Sequence, residues 1–311
     1  LTKEPLLHVG LQKTGSTWLQ NRLFNRTEHG FVSVPERIVI DDAFLGGNPF
    51  TFDTERARKL LQPLFDEASA SNAIPVVSHE LLAGQPLANA IDAQVLADRL
   101  KSTYPDGRVL IVIREQRSML LSTYKQYVKA SGTKHVDELW RDRSPRERRR
   151  PGPGLDWLAY HHLIAYYRGL FGADRVCILP FELLTLDAQT FAGEICKFVG
   201  NPYPSDVPAI RDNPPLPALL VSFLRRSNVI VRSLGFSDGD GGELHSPKLR
   251  RMRLQAVRSL GPKIPAVVSR RAERRLRTAV DLMVQGRFGA SNRETSELTG
   301  LDLGSFGYDV T

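Results

Sequence analysis

The sequence predicts an α/β fold: a parallel sheet flanked by helices, followed by a mainly helical C-terminal region. Three observations predict it. Short apolar runs alternate with helix-period segments from residue 6 to residue 199, the pattern of successive strand–helix units. Val109–Ile113 is apolar without interruption, which suits a strand covered on both faces. From Pro202 onward, Pro-rich turns lead into helical stretches and no strand pattern returns. The expected organisation is one domain over 1–311, with an α/β core over 1–200 and a helical continuation over 201–311.

Each element has its own signal. Leu6–Gly10 is an apolar run stopped by glycine and reads as the first strand. The turn Leu11–Thr17 then leads into a helical pattern at Trp18, Leu19 and Leu23. Residues 54–71 gather Ala57, Leu60, Leu61, Leu64 and Ala68 near one helix face. Ile74–Ser78 reads as a strand, and 87–103 as a helix carrying Leu87, Ile91, Val95 and Leu100. Asp106–Gly107 marks a turn before the strand Val109–Ile113. Helices over about Ser118–Lys129 and 155–171, the strand Val176–Leu179 and a helix over 187–199 complete the core. Further helices are expected near 217–234 and 266–285.

Composition narrows the function. The 311 residues are 41% hydrophobic and 24% charged, as in soluble globular chains long enough to bury a core. Cys177 and Cys196 are the only cysteines, which excludes a disulfide scaffold and a Cys-rich zinc module. Both read as small core residues in a reducing compartment. No run of about 18 apolar residues is present to span a membrane, and the opening LTKEPLLHVG lacks the apolar core of a signal peptide. A cytoplasmic protein is expected.

Lys and Arg number 42 against 34 Asp and Glu, a net charge of +8, which favours anionic partners. Arg141, Arg143, Arg146, Arg148, Arg149 and Arg150 crowd together before Pro151–Gly154, and a second cluster runs from Lys248 to Arg277. The ordinary reading of such runs is solvated loops and helix faces. Nucleic-acid binding would call for interleaved aromatics or a helix-turn-helix. The first cluster has only Trp140 nearby, so no nucleic-acid partner is expected.

A glycine-bearing turn between a strand and a helix offers backbone N–H groups to an anion. Here Lys13 adds a cation, and Ser16 and Thr17 add hydroxyls. Gly10 and Gly15 have the spacing of the nucleotide-kinase loop G-x-x-x-x-G-K-[ST]. Ser16, however, stands where that loop has its lysine. The turn is P-loop-like without the kinase lysine, which speaks against the alternative of an ATP-dependent kinase.

Lys13-Thr14-Gly15-Ser16-Thr17-Trp18 closely resembles the 5′-phosphosulfate loop of sulfotransferases, which use 3′-phosphoadenosine 5′-phosphosulfate (PAPS) as donor. The resemblance implies donor contacts from Lys13, Thr14, Gly15, Ser16, Thr17 and Trp18. That family also holds the 3′-phosphate with an arginine at a strand end and a serine eight residues later. Arg114 and Ser122 match that spacing after Val109–Ile113. A guanidinium and a hydroxyl bind phosphate by charge-assisted hydrogen bonds. Glu115-Gln116 departs from the Asn-Pro or Asp-Pro that many members carry next. The C-terminal Arg-Lys-Gly loop of some members has no counterpart, and Lys248, Arg250 or Arg251 could take its role. The likeness covers residues 5–200 well and includes Val176–Glu182. Asn292–Tyr308 resembles the tail of bacterial, carbohydrate-type members.

Sulfuryl transfer needs a base for the acceptor proton and a cation on the departing oxygen. The family pattern gives the cation to Lys13. The base is expected at the end of the strand Ile74–Ser78, where Ser78 and Glu80 share one face and His79 the other. Family members carry His or Glu there, so Glu80 is the first candidate and His79 the second. His8 is a weaker candidate. His161 and His162 read as core or pocket wall. No metal-ligand set is evident, and the chemistry requires none. The acceptor is expected to be a glycan or small molecule, anionic acceptors included. Peripheral membrane contact and oligomeric state stay open.

Overall fold

The computed structural model describes residues 3–33, 37–204, 206–210, 216–233, 247–260 and 266–311. The strands are β1 (Leu6–Gly10), β2 (Phe31–Ser33), β3 (Ile74–His79), β4 (Arg108–Ile113) and β5 (Val176–Pro180). The helices are α1 (Ser16–Trp18), α2 (Arg37–Ile40), α3 (Thr54–Ala70), α4 (Ala93–Thr103), α5 (Gln116–Lys129), α6 (Val136–Leu139), α7 (Tyr160–Phe171), α8 (Phe181–Leu186), α9 (Ala188–Val199), α10 (Ala218–Ser233), α11 (Pro247–Leu260), α12 (Ala266–Val284) and α13 (Gly289–Thr299). Helices α1 and α2 run on in π geometry over Leu19–Phe24 and Asp41–Leu45.

The chain forms two compact units. The first comprises Leu1–Glu115, Arg143–Ile210 and Phe288–Thr311, and the second Gln116–Asp142 and Arg211–Arg287. The first holds a five-stranded sheet in the order β2-β3-β1-β4-β5, with every pairing parallel. Register places His8 opposite Ser78 and Leu110. Leu6, Val76, Leu110 and Val112 line one face with Trp18, Leu19, Leu23 and Phe24 and with Phe191 and Ile195 of α9. That face is thus sealed by α1 and α9, and the apolar run of β1, interrupted by His8, and the unbroken run Val109–Ile113 of β4 follow from burial on both sides. Strand β1 lies between β3 and β4, so the chain turns to one side after β1 and to the other after β3. Ligand crevices form at such a switch point, outside the carboxyl ends of the strands.

Two expected helices begin later than their apolar patterns. Asn89 and Ala90 have φ of 57° and 49°, left-handed backbone that no helix continues through, so α4 starts at Ala93 rather than 87. Asp156–Leu158 is a 3₁₀ turn, and α7 starts at Tyr160 rather than 155. Capping ends other helices where expected: Asp53 accepts from Arg56 N–H at 2.9 Å to open α3, and Gly200 at φ 73 closes α9.

In the second unit α10 and α12 pack on α5. Lys125 Nζ of α5 lies 3.2 Å from Glu273 Oε1 of α12, whose Oε2 accepts from Ala218 N–H at 3.2 Å. Asn228 Nδ2 donates to the carbonyls of Val128 and Gly132, both at 2.8 Å. Among the described residues, no helix is long and apolar enough to cross a membrane.

Candidate active site

Gly10 brings the exits of β1 and β3 together. A Cβ there would lie 3.1 Å from Glu80 Cα, 3.3 Å from His79 O and 3.3 Å from Ser16 Oγ. The loop that follows is tightly wound: Lys13 has φ 70 and Gly15 φ 85, a conformation glycine adopts without cost and lysine does not. A Cβ on Gly15 would also meet Leu184 Cδ2 at 2.7 Å. Buried Thr14 closes the turn from within, its Oγ1 donating to Leu11 O at 2.6 Å. Trp18 packs behind the loop; its Nε1 donates to Pro208 O at 3.0 Å and its ring stands edge-on to Phe191. Thr17 is exposed. Ser16 Oγ is buried and has no hydrogen-bond partner among the described residues. An orphaned hydroxyl of this kind costs about 1–3 kcal/mol, and an anion's oxygen would satisfy it.

Two cations converge on this loop. Arg114, at the exit of β4, donates from NH1 to Lys13 O at 2.8 Å and lies over the Phe181 ring at 4.5 Å. The Lys13 ammonium is held below its ordinary pKa by burial and then by the Arg114 charge, with Glu80 pulling the other way. Burial likewise lowers the Arg114 pKa, against the pull of Glu182. Among the described residues Lys13 Nζ makes no hydrogen bond or ion pair. Two like charges close together in a half-buried loop favour an anion there, and such perturbation marks functional sites.

A buried acid–phenol cluster fixes Arg114 from behind. Tyr160 donates its hydroxyl to Arg114 O at 2.6 Å. Glu182 accepts Glu115 N–H on Oε1 at 3.0 Å and the Tyr308 hydroxyl on Oε2 at 3.0 Å. Burial pushes Glu182 above the usual carboxylate range. The tail that delivers Tyr308 is pinned in turn, since Asn292 Nδ2 donates to Asp309 O at 2.8 Å and Arg293 NH1 to Val310 O at 2.9 Å.

Beyond β3 the two base candidates differ sharply. His79 is fully buried; its Nδ1 accepts from Leu81 N–H at 3.1 Å, and its Nε2 lies 3.1 Å from Asp41 Oδ1 without hydrogen-bond geometry. Burial, the largest influence, lowers its pKa. Glu80 is partly open to solvent and pairs through Oε1 with Arg37 NH1 at 2.7 Å. On the α1 face of the sheet, His8 Nδ1 meets Ser78 Oγ at 2.7 Å, and Gln20 Nε2 donates to Ser78 O and Oγ. Burial and the His79 charge push His8 down to about 3, so its ring stays neutral.

The structure thus gathers Lys13, Ser16, Arg114 and Glu80 at one end of the sheet. Ser122 lies half-buried on α5 in the second unit. Arg251 is exposed on α11, and the side chains of Lys248 and Arg250 lie outside the described residues. His161 meets Ser291 Oγ at 2.7 Å, and its ring lies tilted beside that of His162 on α7. Burial pushes the Cys177 and Cys196 thiols up to about 12 and 11. Among the described residues no group of three or more His, Cys, Asp or Glu could hold a metal. Arg37, Asp41, Glu182 and Tyr308 had no recognisable role in the sequence. Their signal is purely spatial, apart from Pro180-Phe181-Glu182 and the tail, which belong to stretches of diffuse likeness.

The model of the sulfotransferase domain family matches residues 3–212. The solved structure of a sulfotransferase from Alicyclobacillus acidocaldarius is similar over 75% of this chain and 96% of that one, with a TM-score of 0.50 and 19% identity. At that identity the likeness speaks for the fold alone. No curated protein matches the chain.

Proposed function

The chain belongs to the sulfotransferase family, and from that premise we propose that it moves the sulfuryl group of PAPS to a hydroxyl or amine of a carbohydrate or small-molecule acceptor. The observation that carries this reading is the loop itself: Arg114 NH1 donates to Lys13 O at 2.8 Å, bringing a second cation to the Lys13 turn, and the buried Ser16 hydroxyl has no hydrogen-bond partner among the described residues. These groups fit the donor's 5′-phosphosulfate. We assign its contacts to Lys13, the amides of Thr14–Thr17 and the Ser16 hydroxyl, and the 3′-phosphate to Arg114 with Ser122. Thr14 and Trp18 act from within and behind the loop.

The donor supplies an activated sulfuryl group. The acceptor oxygen forms a bond to sulfur as the bond from sulfur to the phosphate oxygen breaks. Glu80 takes the acceptor proton, and Lys13 meets the charge that grows on the departing oxygen. No metal enters the proposal. Cys177 and Cys196, as unpaired core thiols, support a cytoplasmic location. Calorimetry with 3′-phosphoadenosine 5′-phosphate (PAP), AMP and Mg-ATP tests the donor, and radiolabelled PAPS with an acceptor panel tests the reaction. Binding of Mg-ATP as tight as that of PAP would overturn the reading.

A further inference from the structure

The arginine-rich turn before α7 has no part in the proposed transfer, yet it is a built object. Arg143 is its hub, donating from NH2 to the carbonyl oxygens of Glu147 and, at 2.7 Å, Arg150. Arg148 Nε returns a bond to Arg143 O at 2.9 Å. Ser144 N–H donates to Glu147 Oε2 at 2.9 Å. The one acid of the turn is therefore drawn into its scaffold. Arg146, Arg149 and Arg150 stay exposed, and among the described residues their side chains make no hydrogen bond or ion pair.

The turn is also anchored to the loop that follows β3. Pro151–Gly154 leads to Asp156, whose N–H donates to Asn89 Oδ1 at 3.0 Å and whose Oδ2 accepts from Asn89 Nδ2 at 2.8 Å. A Cβ on Gly154 would lie 2.7 Å from Asn89 Cγ, so glycine permits that contact. Asn89 sits in the loop that leaves β3 through Glu80, with Gly84 N–H bonded to Leu81 O at 2.9 Å. Three exposed guanidinium groups are thus tethered to the chain that begins at the proposed base.

We propose that this turn docks an anionic polysaccharide, whose carboxylates or sulfates pair with Arg146, Arg149 and Arg150 while a hydroxyl of the same chain reaches Glu80. The inference rests on the sulfotransferase reading and names the acceptor class for that site. Guanidinium forks match carboxylate and sulfate oxygens in pairs. A polysaccharide joins such anions to the hydroxyls that the reaction consumes. Single-stranded nucleic acid would call for exposed aromatics to stack on, and a bilayer for apolar anchors. Residues 143–150 contain neither.

The test uses the full chain and the triple variant Arg146→Ala, Arg149→Ala, Arg150→Ala. A control variant, Arg270→Ala, Arg271→Ala, Arg274→Ala, removes the same charge from exposed positions of α12. Probes are a size-defined heparin octasaccharide, an oligothymidylate of matched charge, and vesicles of phosphatidylcholine and phosphatidylglycerol. The turn variant should bind the octasaccharide about 10- to 100-fold more weakly, and the control close to wild type. Equal losses in both variants, or no octasaccharide binding by wild type, would overturn the proposal. Tighter binding of oligothymidylate or vesicles than of octasaccharide would overturn it too. PAP titration separates the premise: octasaccharide binding that needs the three arginines in a chain blind to PAP supports the docking surface and removes the transfer.

Discussion

Arg114 NH1 donates to the carbonyl oxygen of Lys13 at 2.8 Å. The bond joins the exit of β4 to the loop after β1, so the residue proposed for one end of the donor also shapes the loop proposed for the other. Burial lowers the pKa of both cations, and the Arg114 charge lowers that of Lys13 further, while Glu182 and Tyr160 hold the chain around Arg114 from behind. Two cations side by side at the strand ends make this loop a fit for an anion.

Arg114→Ala should therefore do two things. It should erase the preference for PAP over AMP, because a lost partner of a charge-assisted bond costs roughly 1.5–3 kcal/mol. It should also weaken AMP itself slightly, through the loosened Lys13 carbonyl. Calorimetry with both nucleotides measures each effect; an unchanged PAP-to-AMP ratio would remove Arg114 from the donor site.

Lys13 carries a sign that can be worked out. Its pKa is lowered in the folded state, first by burial, so the unfolded chain binds the proton more tightly. Stability then rises with pH between the lowered value and the ordinary lysine value of about 10.4. Lys13→Met should remove that rise and raise the melting temperature of the ligand-free protein at neutral pH. The same variant should lower kcat far more than it weakens PAP, since the ammonium acts on charge that develops only in the transition state. A loss confined to PAP affinity would make Lys13 an anchor.

The acid side belongs to His8. Its ring is buried beside Ser78 and near His79, with a pKa pushed down to about 3. Unfolding restores a value of about 6.5, so the unfolded state takes up a proton as pH falls from about 6.5 toward 3. Stability should drop across that window by up to about 1.4 kcal/mol per pH unit from this group alone. His8→Asn should flatten the difference between urea midpoints at pH 7 and pH 4.5; an unaltered difference would assign the acid sensitivity to other groups.

Most strands were legible because both-face burial writes itself as apolar runs, unbroken in Val109–Ile113 and interrupted only by His8 in Leu6–Gly10. Strand β2 was not. Phe31–Ser33 is three residues long and follows irregular turns, and its pairing partner Ile74–Val76 is 43 residues away in sequence. Lys13 and Ser16 stood out as candidates because local turn chemistry singles them out, and Arg114 only through the family resemblance at a strand end. The partners that decide between neighbouring candidates, Arg37 and Asp41, come from a segment with no motif of its own. Only the folded chain brings them to Glu80 and His79.

Those partners sharpen the choice of base. Strand alternation sends the side chains of His79 and Glu80 to opposite faces, and the structure gives each a different employment. His79 is sealed, its Nδ1 holding Leu81 N–H and its Nε2 facing Asp41; it fixes the turn out of β3. Glu80 is partly solvent-accessible and pairs with the exposed Arg37 guanidinium. Glu80→Gln should fold, bind PAP normally and lose transfer by about 10²–10⁴-fold, the range for a positioned general base. His79→Asn should keep substantial activity per folded molecule while lowering the melting temperature, because a buried turn contact is weakened. Arg37→Ala should leave PAP binding intact and change the acceptor KM rather than abolish kcat. The pairing of outcomes is what discriminates: a dead His79→Asn beside an active Glu80→Gln, both folded and both binding PAP, would transfer the base to His79. Full activity in both would move it off β3 and make His8 the next residue to replace.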